Sequence, residues 1–112
     1  MNRTFVYWGD YFEDFMRKID PDVREKVFWI MRVIQSSDRI PSKYFKHLSG
    51  TDGLFEMRIE WEGSIFRIFC FFEPNYQIVL CNGFIKKTNK TPQGEIQKAI
   101  KIMKEYYEAK AK

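Results

Sequence analysis

Apolar and polar positions repeat with two different periods along the chain, and the changes of period divide it into elements. "RTFVYW" at 3–8 is β-branched and aromatic and stops at Gly9-Asp10, which predicts a first strand. Phe12, Phe15, Met16 and Ile19 then recur at helical spacing. Asp20-Pro21 interrupts that helix and offers a cap and a first residue for a second one, running to about Gln35. Its apolar stripe is Val23, Val27, Ile30 and Ile34, widened by Phe28 and Met31. Residues 36–53 are rich in Ser, Gly, Asp and Pro and form a connector, with Tyr44, Phe45 and Leu48 pinning it to the core and room for a short helical piece. "LFEMRIEW" at 54–61 alternates, Phe55, Met57, Ile59 and Trp61 on one face and Glu56, Arg58 and Glu60 on the other. After the turn "EGS", the run 65–72 is apolar on both faces except for Arg67; after "EPNY", 77–84 is nearly all apolar. A last helix begins near Thr91-Pro92, with Thr91 as cap and a stripe of Ile96, Ala99, Ile100, Met103 and Tyr107. The expected order is β-α-α-β-β-β-α: one α+β domain over residues 1–112, with a mostly antiparallel sheet and helices packed on it.

Composition supports a packed core. Aromatic residues make up 18% of the 112 positions, enough to fill an interior without staples; Phe45 and Phe72 are assigned to it. Cys70 and Cys81 each fall inside a strand and read as buried, reduced thiols. His47 is the sole histidine and reads as a surface residue, so no Ser/His/Asp arrangement or Cys/His metal spacing exists. "SGTDG" at 49–53 lacks the Lys-Ser/Thr of a phosphate loop, and no carboxylate cluster points to a metal; neither metal nor cofactor is expected. No apolar run is long enough to span a bilayer, and "MNRTFVYWGD" lacks the apolar core of a signal peptide, so a cytoplasmic protein without membrane contact is expected.

Charge sharpens the picture. Residues 1–52 are nearly neutral, whereas residues 84–104 carry Lys86, Lys87, Lys90, Lys98, Lys101 and Lys104 against Glu95 alone. A late concentration of positive charge favours an acidic partner there. Arg67 sits within Ile, Phe, Cys and Phe neighbours, where an unpaired guanidinium is costly. Three arrangements resolve that cost: a pair with Glu56 or Glu60, a snorkel to the sheet edge, or a groove that receives an anion. A hairpin centred on Gly63 places Arg58 opposite Ile68 and diagonal to Arg67. Two neighbouring arginines repel unless something negative lies between them, either a glutamate or a phosphate. Lys86, Lys87 and Lys90 leave the next strand and rim the same surface, and a helix start at Thr91 adds free N–H groups. Phe84, Tyr44 and Phe45 are aromatic rings beside this charge, of the kind that holds unstacked RNA bases.

The pattern Gly-Leu-x-Glu-x-Arg at 53–58, an arginine in the following strand and the segment "NGFIKKTNKTPQGEIQKA" at 82–99 resemble the phage-derived branch of the RelE/HigB toxin superfamily. The resemblance is close over residues 53 to about 107, and the β-α-α beginning agrees with the superfamily order. It implies a RelE-like fold and the toxin of a type II toxin–antitoxin system: an endoribonuclease that cleaves mRNA on the ribosome without a metal, by attack of a 2′-hydroxyl on the adjacent phosphate. It implies a cognate helix-turn-helix antitoxin as partner, and DNA contact only through the toxin–antitoxin complex. Carried over by residue, Arg58 and Arg67 take the strand basic positions, with Arg67 on transition-state charge. Lys86, Lys87 and Lys90 take the RNA backbone, with Lys87 as a proton carrier. Glu56 is the other candidate base, with the alternative that it only pairs Arg58; Thr91 and Phe84 complete the RNA-binding set. Several family members use His or Tyr near the C-terminus as acid or base. This chain has no His there, and Tyr106 and Tyr107 fall far along a helix.

A second class of function fits the same residues: a non-catalytic RNA- or protein-binding module on a degenerate toxin fold. A phage accessory protein and a DNA-binding repressor are weaker fits, the latter because no helix-turn-helix pattern is present.

Overall fold

The computed structural model describes residues 2–112; Met1, counted in the expected domain, lies outside them. The elements are β1 (Thr4–Tyr7), α1 (Tyr11–Arg17), α2 (Pro21–Ser36), β2 (Phe45–His47), β3 (Phe55–Trp61), β4 (Ser64–Glu73), β5 (Gln77–Lys86) and α3 (Gln93–Lys110). They form an α+β fold with one five-stranded sheet in the order β1-β5-β4-β3-β2. β1 runs parallel to β5, and every other pairing is antiparallel.

Side-chain alternation gives the sheet two apolar faces. Met57, Ile59, Phe66, Ile68, Cys70, Ile78 and Leu80 pack with Phe12, Phe15 and Met16 of α1 and Val23, Val27, Ile30, Met31 and Ile34 of α2. Phe69, Phe71, Val79, Cys81 and Phe84 pack on the other face with Ile96, Ala99, Ile102 and Tyr106 of α3. Cys70 and Cys81 are free, buried and on opposite faces. Burial raises both thiols, Cys81 to about 12 and Cys70 well above its ordinary value.

Two arginines hold helix ends. Arg24 donates to the carbonyls of Met16 (3.0 Å) and Ile19 (2.9 Å) at the end of α1. Arg3 donates to those of Ile34 (2.9 Å), Ser37 and Asp38 at the end of α2. Each guanidinium satisfies carbonyls that no helical N–H reaches.

Several expectations are corrected. The connector holds the edge strand β2 rather than a helical piece, because Phe45, Lys46 and His47 pair with Met57, Glu56 and Phe55. Asp20 occupies the cap position of α2 without a side-chain cap bond. α3 starts at Gln93 with Pro92 as cap, so Thr91 does not cap it. Its buried side is Ile96, Ala99, Ile102 and Tyr106, one position round from the expected stripe, and Tyr107 is exposed. Phe28 and Phe72 are also exposed, while Phe45 is buried.

Two local features set the register. Glu62 and Gly63 have φ of 47° and 82°, the pair of positive values that a two-residue type I′ hairpin needs. This loop is centred between the two residues, not on Gly63, so Arg58 stands directly opposite Arg67. In the next pair, Ile68 faces Gly83 but Cys70 faces Leu80, which leaves Cys81 and Asn82 together opposite Phe69 as a β-bulge. Cys81 packs under α3, and Asn82 donates to the Glu95 carboxylate in α3 at 3.0 Å. Past the bulge the alternation is shifted by one, and Phe84 joins the α3 side.

Candidate functional site

The α3 side of the sheet is apolar under the helix and changes character toward the β3–β4 turn. Glu56, Arg58 and Glu60 alternate along β3 on this side, Arg67 stands on β4 opposite Arg58, and Phe84 lies opposite Arg67 on β5. Lys86 follows two positions on, opposite Ile65. Strand pairing thus brings Arg58, Arg67, Glu56 and Lys86 into one patch, as the sequence pattern anticipates.

Arg67 is 3% exposed and Glu56 7%. The Arg67 Nε lies 3.9 Å from the Glu56 Oε2, a long ion pair, and its Nη1 donates to the Phe66 carbonyl at 3.1 Å. The same Glu56 oxygen accepts the Thr91 hydroxyl at 3.3 Å. Thr91 therefore braces the buried carboxylate instead of capping α3, and it ties the loop before α3 to β3. Burial, then the facing Arg58, holds Arg67 below its ordinary value, while Glu56 and Glu60 pull the other way. It stays a cation at neutral pH. Among the described residues, the buried side-chain atoms without a hydrogen-bond partner are Arg58 Nε, Arg67 Nε and Asn82 Oδ1. Two arginines held face to face, each with an unsatisfied Nε, with Glu56 reaching only Arg67 and only at 3.9 Å, are a cationic pair short of negative charge. Such a pair fits the two-pronged recognition of a phosphate.

The other expected site residues are distributed unevenly. Lys87 is exposed and lines a concavity of about 290 Å³ with Phe15, Lys18, Phe84 and Glu95, which does not include either arginine. Lys90 is exposed in the loop, its carbonyl accepting the Thr88 hydroxyl at 2.9 Å. Phe84 packs on Phe69 at 5.4 Å between ring centres, within the core, so its ring is not offered to a base. His47 is exposed at the sheet edge, its ring against Phe55. Tyr106 and Tyr107 donate to the two oxygens of Glu73 at 3.0 and 3.2 Å, and Lys110 donates to the same carboxylate. The three donors hold Glu73 below its ordinary value, Lys110 foremost.

One further constellation is assembled only by the fold. Lys26 of α2, Lys43 and Tyr44 of the connector, and Arg58 and Glu60 of β3 line a concavity of about 130 Å³. No local motif marks it, because Lys26 and Lys43 belong to different elements and meet only through the fold. Among the described residues, no group of three or more His, Cys, Asp or Glu is placed to hold a metal, and no helix is long and apolar enough to cross a membrane.

No curated protein matches the chain. A family model does, over residues 14–104, from α1 to most of α3, and so takes in the arginine pair, Glu56, Thr91 and the lysine loop together. The chain belongs to the phage derived protein Gp49-like family (DUF891).

Proposed function

We propose that the protein is a RelE/HigB-type toxin, an endoribonuclease that cleaves mRNA on the ribosome and is neutralised by a helix-turn-helix antitoxin. The observation that carries this reading is the Arg58–Arg67 pair, face to face and under-neutralised, with Lys86 beyond it on the same side of the sheet. The resemblance of residues 53–107 to that superfamily and the membership in a phage-derived family support it.

The scissile phosphate would sit on the two guanidinium groups. The 2′-hydroxyl of the preceding ribose attacks phosphorus and gives its proton to a base. The bond from phosphorus to the 5′-oxygen breaks, and that oxygen takes up a proton. The products are a 2′,3′-cyclic phosphate and a 5′-hydroxyl. Negative charge grows on the non-bridging oxygens at the transition state, where fixed cations in a buried setting act most strongly. Glu56, desolvated and beside Arg67, is the base of this scheme, and Lys86, on the same side of the sheet, is the lysine that returns a proton to the 5′-oxygen; Lys87, on the opposite face, takes no part.

A second reading is a binding module that holds RNA without cutting it. It is favoured by the engagement of Tyr106 and Tyr107 with Glu73, which keeps both C-terminal tyrosines from an acid role at the arginine pair. Induction of the wild type and of Arg67→Ala in bacteria, with growth followed and new mRNA 5′ ends mapped, separates the two. Arrest with new ends in the wild type alone supports the nuclease. Arrest in both without new ends supports the binding module.

A further inference from the structure

The basic pocket behind Arg58 is the feature that the proposed function leaves unused. β2 pairs with β3 only as far as Phe45 opposite Met57, and beyond it the Arg58 N–H donates to the Tyr44 carbonyl at 2.8 Å. From Ile59 onward β3 is an edge of the sheet. Here Lys26, Lys43, Arg58 and Glu60 meet in the concavity of about 130 Å³, three cations against one carboxylate.

Neither lysine is ion-paired among the described residues. The Lys26 Nζ lies 4.9 Å from the centre of the Trp29 ring, and the Lys43 Nζ lies 5.5 Å from that of Tyr44. The two rings meet edge to face at 5.6 Å. The lysines are thus held by aromatic faces that orient them without neutralising them. Arg58 Nε, buried and without a partner, belongs to the same arrangement.

Lys26 and Trp29 also line the adjoining concavity of about 530 Å³, with Phe28, Trp61, Arg32, Asp22 and Glu25. Its charges are balanced in sign, and its walls are aromatic. An anion-sized basic pocket therefore opens onto a base-sized aromatic one. Arg58 links the first to Arg67, and Lys26 links the first to the second.

We propose that a single RNA strand leaving the Arg58–Arg67 pair crosses the edge of β3, sets its next phosphate between Lys26, Lys43 and Arg58, and lays the attached base against Trp29 and Trp61. This rests on the RNA-binding reading of the arginine pair and extends it to a second subsite. Phosphate contacts of this kind carry salt-dependent affinity, and aromatic walls accept any base by stacking.

Fluorescence anisotropy of a labelled single-stranded RNA, titrated over a range of salt, tests it. Three proteins are compared: wild type, the double variant Lys26→Ala/Lys43→Ala, and Trp29→Ala, each checked for folding by circular dichroism. The double variant is expected to flatten the slope of log K against log salt by about 0.7 for one lost phosphate contact. Trp29→Ala is expected to weaken binding at fixed salt by about 5-fold or more. A folded double variant with the wild-type slope overturns the phosphate subsite while leaving the arginine pair as the RNA site. A folded Trp29→Ala that binds as the wild type overturns the base position. Absence of RNA binding by the wild type overturns both the subsite and the RNA-binding reading beneath it.

Discussion

Gly83 of β5 lies directly beneath the ring of Phe15 in α1: a Cβ built on Gly83 would stand 2.5 Å from the Phe15 Cγ and 2.6 and 2.8 Å from the two Cδ atoms. The helix rests on bare backbone at this point. The "GF" before the lysines thus has a packing reason, since only glycine lets α1 settle this close to the strand that carries Lys86.

Gly83→Ala is accordingly expected to destabilise the fold by about 2–3 kcal/mol, the scale of an overpacked core. Urea denaturation measures it. Phe15→Leu, which shortens the opposing ring, is expected to recover part of the loss in the double variant, and strict additivity of the two changes would refute the contact.

Arg67→Met separates stability from activity. It removes the long pair with Glu56 and relieves the repulsion from Arg58, and these oppose each other. Because the pair is long and the repulsion is relieved, the loss of stability is expected to stay below the roughly 3–5 kcal/mol of a broken close buried pair, whereas under the proposed function RNA cleavage falls by about 100-fold or more. Parallel denaturation and cleavage assays check both numbers; a large loss of stability would make Arg67 a structural ion-pair member first.

Glu73 joins β4 to the end of α3 through Tyr106, Tyr107 and Lys110. Its folded-state value lies below the ordinary one, so its contribution is complete above the usual carboxylate range and is lost as pH falls through the lower folded value. Thermal melts should show the wild type losing its advantage over Glu73→Gln below about pH 4. Parallel Tm profiles for the two proteins would contradict this.

The thiols should be inert in the folded protein. Cys70 and Cys81 are fully enclosed and raised by burial, Cys81 to about 12. Alkylation at neutral pH is expected to be slow in buffer and rapid in denaturant, since the thiolate is the reactive form. Mass spectrometry of iodoacetamide-treated protein reads the difference directly.

Much of this architecture is legible in the sequence because its signals are local. The alternation of Phe55 to Trp61 marks a half-covered strand, and the isolation of Arg67 among apolar neighbours marks a charge that needs explaining. What escaped depends on registers and distant partners. A turn centre misplaced by half a residue moved Arg58 from opposite Arg67 to its diagonal. Thr91 has the chemistry of a cap, but a buried carboxylate from β3 competes for its hydroxyl and wins. β2 is too short to show a period, and it forms because β3 offers an unpaired edge. Ile102 and Tyr106 rather than Ile100 and Tyr107 face inward because the sheet fixes the rotation of α3, and the helical pattern alone leaves a wide apolar arc. Lys26 and Lys43 carry no sequence signal in common at all.

The bulge at Cys81 and Asn82 makes the site a matter of counting. Strand side chains change sides with every residue, so pairing these two one-for-one with β4, without the bulge, would turn Phe84 and Lys86 over to the α1 face and bring Ile85 and Lys87 under α3 in their place. No side chain would change identity, yet the cationic patch would lose its third wall. The extra residue in the bulge, and not the composition of the strand, decides the side of every residue that follows it. The bulge thus acts on the strand as a frameshift acts on a reading frame, and the position of Lys86 relative to Arg67 is set by that phase before it is set by its charge.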